Sequence, residues 1–395
     1  MQDSYSSREL LAKLVAIDTT SSKTNLDLID WVSRYLARHN VSAHITTNDA
    51  GTKANLFATL GPADEGGICL HGHTDVVPVE GQAWTSPAFE LTERDGMLFG
   101  RGAADMKGFV ACTLAAVPQF LARRLKTPIH IALSYDEEVG CFGTPRMIRT
   151  FGSQVAKPQI VIVGEPTLMY PVVAHKGVAA METRFHGKAA HSSMPHLGAN
   201  AMTAAAEMVA ELGALCRELR TLRYPYPMNP SGPTFNVGTV HAGTARNIVA
   251  KEAVIEWEIR YRDTDSLADI QALIERRTGE RIRRVLGTDA GGVDWETLEI
   301  VRVQSFCVRE DGKAVSLLRE LGAAGATTAV PYGAEAGQYA EVGVDSVVFG
   351  PGSIEQAHKP DEFITLAQLE ACNRFMGELA TWAQTHHLAS HAWAV

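Results

Sequence analysis

The sequence predicts an α/β fold: a doubly wound sheet interrupted by a smaller inserted α+β domain. Three observations predict it. The 395 residues exceed what one hydrophobic core usually organises. Short apolar runs alternate with helical patterns towards both ends of the chain, as in a largely parallel sheet. Between about residues 180 and 304 that alternation gives way to strand, helix, strand, strand, helix, strand, the order of a ferredoxin-like sandwich.

Ser6-x-x-Glu9 ahead of Leu10, Leu11, Leu14 and Val15 is a capping box opening an amphipathic helix, and 26–36 reads as a second. The apolar runs 67–70, 129–134 and 160–163 read as strands, with a helix over 108–124 between the first two. In the middle region 181–185, 235–240, 253–261 and 296–303 read as strands, and 200–219 and 267–285 as helices. Four prolines between 224 and 233 mark the loop after the first of these helices. A helix near 315–321, a strand at 346–349 and a last helix over 366–385 resume the first pattern. The expected organisation is one domain of residues 1–179 and 305–395 carrying an insert, 180–304.

With 46% apolar and 21% charged residues the chain belongs to the ordinary globular class. A formal net charge of -9 argues against a nucleic-acid partner, which calls for basic stripes. The six cysteines (Cys69, Cys112, Cys141, Cys216, Cys307, Cys372) form no CxxC and lie mostly in apolar stretches, as structural thiols of a reducing compartment do. No apolar run reaches the roughly 18 residues of a membrane span, and the N-terminus lacks the pattern of a signal peptide. A cytoplasmic protein with no membrane partner is expected.

The chemistry-bearing residues gather by position in the fold. The run ending at Leu70 leads into His71-Gly72-His73-Thr74-Asp75, and Ile129–Ser134 leads into Asp136-Glu137-Glu138. Ile160–Val163 leads into Gly164-Glu165, and the run 346–349 precedes His358. In a doubly wound sheet the carboxyl ends of the strands form one rim, where ligands bind. Asp105, in a Gly-rich loop before a helix, adds to that rim. Each residue alone has a blander reading: Asp105 as a helix cap, Asp136-Glu137-Glu138 as a solvated turn, His73 as a core histidine. Their coincidence on one rim argues against all three. So many carboxylates cannot stay ionised together without positive charge between them, and mixed His and carboxylate donors suit zinc or cobalt. Charge counting favours two divalent ions and a hydrolase.

The motifs HGHTDVVP (71–78), GRGAADMKG (100–108), DEEVG (136–140), GEPT (164–167), GKAAHSSMPHLGANA (187–201) and GPGSIEQAHKPDEF (350–363) resemble the dinuclear-zinc amidohydrolase and peptidase family. That family includes acetylornithine deacetylases, succinyl-diaminopimelate desuccinylases, aminoacylases and carboxypeptidase G. The resemblance spans essentially the whole chain and implies a zinc-peptidase-like catalytic domain with an inserted lid and dimerisation domain. It implies His73 and Glu165 on one metal, Glu138 and His358 on the other, and Asp105 bridging both. Further implied roles are Asp75 orienting the His73 imidazole, Glu137 as general base, and His191 stabilising the oxyanion, in relatives often across a dimer. Asn247 and Arg260 would hold the substrate carboxylate or oxyanion. The structural alternatives are a turn for Asn247 and a surface pair with Glu258 or Asp263 for Arg260. Glu335 stands where acetylornithine deacetylases carry Thr-Glu-Ala, here with Ala334 in place of Thr; it would face a distal substrate ammonium or be a solvated loop acid. His386, His387 and His391 read as a solvated tail.

AHKG (174–177), GPTFNVGTVHAG (232–243) and GPGSIEQAHKPDE look most like the acetylornithine deacetylases of the family. The resemblance thus implies hydrolysis of N2-acetyl-L-ornithine to acetate and L-ornithine, in arginine biosynthesis, by a homodimer. The alternatives are a succinyl-diaminopimelate desuccinylase, an acetylcitrulline deacetylase or an aminoacylase, and, from another class, a non-catalytic relative that binds amino acids or peptides.

Overall fold

The computed structural model describes residues 5–287 and 292–388. His391 lies outside them. The chain divides into two compact units: Met1–Val173 with Val308–Thr328 and Ala334–Val395, and Ala174–Cys307 with Ala329–Gly333.

The first unit is built on a mixed sheet. Its centre is parallel: Ile129–Ser134, Ile68–His73, Ile160–Val163 and Asp345–Val348 lie side by side in that order. Every residue of the first three is buried, as expected of strands covered on both faces. Antiparallel strands flank this core. Ala54–Leu60 pairs with Ile129–Ser134, Ala43–Thr47 pairs with Ala54–Leu60, and Val172 pairs with Val348. The helix Lys107–Ala115 packs on Ile68–His73, and the helices Ser7–Val15 and Leu366–Thr385 pack on that helix. Ser7–Val15 opens with the Ser6/Glu9 capping box, both reciprocal bonds being made. The helical pattern over 108–124 is two helices, Lys107–Ala115 and Val117–Leu121. Pro118, which has no N–H to donate, starts the second one instead of continuing the first.

The second unit is an antiparallel sheet in the order Thr234–Ala242, Glu252–Tyr261, Gly177–His186, Asp294–Val303. With strands in the chain order 1 to 4, this is 2-3-1-4, the ferredoxin-like arrangement. The helices Ala201–Leu219 and Leu267–Leu286 pack together over it. Asn200 caps the first through Oδ1, and Ser266 caps the second. Phe185, Trp257, Ile255, Ile259, Met208 and Ile274 form its core with the alanines of the first helix. All six cysteines are free thiols. Among the described residues no helix is long and apolar enough to cross a membrane.

Candidate metal centre

The parallel register in the first unit brings ligand-bearing loops to one edge. His73 is level with Ser134, and His71 with Val163, which is itself level with Val348. His73 therefore ends its strand where the chain turns out to Glu137 and Glu138 on one side and to Glu165 on the other. The turn at Gly164 and the loop at Gly350 approach so closely that a Cβ on Gly350 would stand 2.2 Å from the Gly164 carbonyl oxygen. Only glycine permits that contact.

Five residues converge into two groups. His73, Asp105 and Glu165 form one; Asp105, Glu138 and His358 form the other, each with its ligand atoms within 4.8 Å of one another. Asp105 belongs to both and divides its oxygens between them. Its Oδ1 lies 3.0 Å from His73 Nε2 and its Oδ2 3.4 Å from His358 Nε2. His358 Nε2 also lies 2.9 Å from Glu138 Oε2, and His73 Nε2 3.8 Å from Glu165 Oε1. That Glu165 oxygen is buried and has no hydrogen-bond partner. A buried carboxylate oxygen without a donor is costly in a protein-only environment and is what a cation would satisfy.

With only protein charges to balance it, the cluster is electrostatically frustrated. Burial, then the Asp105 charge, raise Glu138 to about 7 and push Glu165 well above the carboxylate range. Burial also raises Glu137, against the His73 charge and with those of Glu138, Glu335 and Asp105. Burial would lower His73, but the Asp105 hydrogen bond and the nearby carboxylates hold it well above the usual range. His358 is raised to about 10 by its hydrogen bonds to Asp105 and Glu138. The raised carboxyl groups mark a cluster short of positive charge, which a divalent ion would supply. Donor set, spacing and the unpartnered oxygen fit one such ion in each group.

Asp75 is positioned differently from the expectation. His73 Nδ1–H donates to the Asp75 backbone carbonyl at 3.0 Å, while the Asp75 carboxylate is 3.7 Å from that nitrogen. The carboxylate is taken up by the Ser21 hydroxyl (2.7 Å) and by the backbone N–H groups of Glu137 (3.1 Å) and Glu138 (3.3 Å). Glu137 belongs to neither ligand group; its Oε1 accepts from the Cys141 thiol at 3.5 Å. Glu335 corrects both readings given to it. It is fully buried, accepting from Thr144 on Oε1 and from Ser134 and His71 on Oε2, so it neither faces a substrate ammonium nor is solvated.

His191, Asn247 and Arg260 lie in the second unit. The segments around His191 and Asn247 face each other: Ser192 N–H donates to the Asn247 carbonyl, and His191 bridges to Ile248. The His191 ring is exposed; its Nδ1 accepts the Ser193 N–H at 3.1 Å and lies 2.7 Å from the Ser193 hydroxyl. Arg260 adopts the alternative arrangement, forked onto Glu258 at 3.0 and 3.2 Å. Asn247 sits in a turn with its side chain exposed. His386 stacks on Trp382, and His387 pairs with Glu65. Two features escaped the sequence reading: the His71–Glu335–Tyr339 network, and a buried pair of Arg101 with Glu362 beside the ligands. The signal for the second was present, since Arg101 precedes Asp105 by four residues and Glu362 follows His358 by four.

The chain is 35% identical over 373 residues to an acetylornithine deacetylase of Myxococcus xanthus, covering 92% of this chain and 94% of that one. It is also 35% identical over 378 residues to an acetylornithine deacetylase of Proteus mirabilis, 94% of each being covered. An M20 family metallo-carboxypeptidase from Sulfolobus solfataricus shares the fold, with a TM-score of 0.74 at 17% identity over 95% of this chain and 98% of that one. Residues 69–382 match the family model described as peptidase family M20/M25/M40, and with sequence, fold and relatives in agreement the chain belongs to that family.

Proposed function

We propose that the chain hydrolyses the acyl amide of N2-acetyl-L-ornithine to acetate and L-ornithine, a step of arginine biosynthesis in the cytoplasm, using two divalent ions, zinc or alternatively cobalt. The observation that carries this reading is the division of the Asp105 oxygens between two histidine-containing groups, with Glu137 adjacent and outside both. His73 and Glu165 would hold one ion, Glu138 and His358 the other, and Asp105 both. When bound, the ions supply Lewis acidity toward the amide carbonyl and a lowered pKa for water. Glu137 takes the proton as the water oxygen bonds to the carbonyl carbon, then delivers it to the nitrogen as the C–N bond breaks. Asp75 holds the backbone from which Glu137 projects. His191 would donate to the oxyanion, and Asn247, with Arg260 once released from Glu258, would hold the substrate carboxylate or oxyanion. The insert would also be the homodimer surface; its sheet ends on the strands Thr234–Ala242 and Asp294–Val303, with Val240, Leu298 and Ile300 exposed.

One observation favours a second reading. Glu335, the acid expected to meet a distal ammonium, is fully buried against His71, Ser134 and Thr144, so it does not select ornithine over other acylated amino acids. A broader N-acyl-amino-acid amidohydrolase is the alternative. Steady-state kcat/KM on acetyl- and succinyl-amino acids with metal-reconstituted enzyme decides between them. Acetylornithine ranking about tenfold or more below acetylmethionine or succinyl-diaminopimelate overturns the first reading in favour of the second.

A further inference from the structure

Glu362 is 1% exposed, and its carboxylate is saturated by one loop. Oε2 accepts from Arg101 Nη1 at 2.7 Å and from the Gly102 N–H at 3.1 Å; Oε1 accepts from the N–H groups of Ala104 (2.9 Å) and Asp105 (3.1 Å). The Glu362 carbonyl also accepts the Gly100 N–H at 2.9 Å. Residues 100–105 are thus wrapped around one side chain, and the last of them is the aspartate shared by both ligand groups.

Arg101, also 1% exposed, carries the connection to the other ligand. Nη1 reaches the Lys359 carbonyl at 3.3 Å as well as Glu362, and Nη2 donates to Gln82 Oε1 at 2.6 Å. Gln82 in turn donates through Nε2 to the His358 carbonyl at 3.0 Å. Nη2 also donates to the Pro78 carbonyl at 3.4 Å, and the guanidinium lies over the Trp84 ring, 5.1 Å from its centroid. The segment it braces is not relaxed backbone. His358 and Asp361 have φ of 63° and 54°, left-handed values that a non-glycine residue keeps only where its surroundings impose them. The Asp361 side chain supplies a further anchor, accepting the N–H and hydroxyl of Thr85 at 2.9 and 3.0 Å.

We infer that Arg101 and Glu362 are positioning residues for the Asp105, Glu138 and His358 group: a single buried ion pair sets both the backbone that aims Asp105 and the backbone that aims His358. This rests on the two-metal reading above. Buried ion pairs add little net stability against apolar replacements, and this one also holds three backbone N–H groups of a short loop beside the ligands. A forked guanidinium and a carboxylate with four acceptor sites are the side chains able to make that many fixed contacts at once.

The test is metal titration of chelator-stripped protein by calorimetry, for wild type, Glu362→Gln and Arg101→Lys, with kcat and KM measured after zinc loading. The lysine variant keeps the charge and loses the fork, so it carries the test if Glu362→Gln does not fold. We expect wild type to bind two ions. The folded variants should hold at least one ion about 10- to 100-fold less tightly, with kcat reduced and KM little changed. Wild-type affinity for both ions in a folded variant overturns the assignment alone. A wild-type protein that binds no zinc, cobalt or manganese overturns the metal reading and this assignment with it.

Discussion

Asp75 accepts the backbone N–H of Glu137 at 3.1 Å through Oδ1, across 62 residues of sequence, and that of Glu138 through Oδ2. One carboxylate therefore fixes the main chain under both the proposed base and a proposed ligand, while the carbonyl of the same residue sets the His73 ring. Asp75→Asn replaces one acceptor by an NH2 group facing a backbone N–H. We expect kcat to fall by about 10- to 100-fold with KM little changed. Unaltered kcat in the folded variant would mean that the loop holds its course without Asp75.

Glu137 lies outside both ligand groups and accepts from the Cys141 thiol, an arrangement that suits the proposed base better than a ligand. Glu137→Ala should lower kcat by about 10²- to 10⁴-fold. Bound zinc per chain, measured by elemental analysis on the same preparation, should stay at the wild-type value. Loss of an ion together with the activity would make Glu137 a ligand and refute the assignment.

Apolar continuity in the sequence marks the buried strands and, through their ends, part of the site. The strands Ile129–Ser134 and Ile160–Val163 are apolar throughout apart from His130 and Ser134, and buried strands of a parallel sheet look like that. Their ends located Glu138 and Glu165. Ala54–Leu60 went unread because Asn55 interrupts its apolar run; only the fold reveals that Asn55 donates to the Gly143 carbonyl. Pro118 was hidden inside a helical periodicity that hydrophobic spacing alone does not break. Glu335 looked like a loop acid because its partner His71 is 264 residues away, and burial of an acid is decided by such partners.

Glu335 gives a prediction that separates structure from specificity. Its carboxylate meets His71, Ser134 and Thr144, and His71 Nδ1 in turn meets the Tyr339 hydroxyl at 2.8 Å, all in the interior. Removing one partner of such a buried network costs about 3–5 kcal/mol. Glu335→Ala should lower the urea midpoint accordingly and leave the order of preference among acylated amino acids as in wild type. A variant of normal stability that instead loses its preference for a cationic side chain would restore Glu335 to the substrate site.

His130 makes the stability of the first unit depend on pH in a calculable direction. Its Nε2 accepts the Gly67 N–H at 3.1 Å and its Nδ1 faces the Thr59 hydroxyl at 3.0 Å, so the ring is held neutral. Burial pushes it down to about 4. The unfolded chain, with an ordinary histidine near 6.5, binds this proton first as pH falls. The contribution is therefore fully present above about pH 6.5 and is lost toward pH 4, at up to about 1.4 kcal/mol per pH unit. His130→Gln can still accept from Gly67 and has nothing to titrate. Its stability relative to wild type, from urea unfolding of the metal-free proteins, should improve steadily as pH is lowered from about 6.5 to 4.5. A difference between the two proteins that stays constant over that range would show that His130 charges within the fold as readily as outside it.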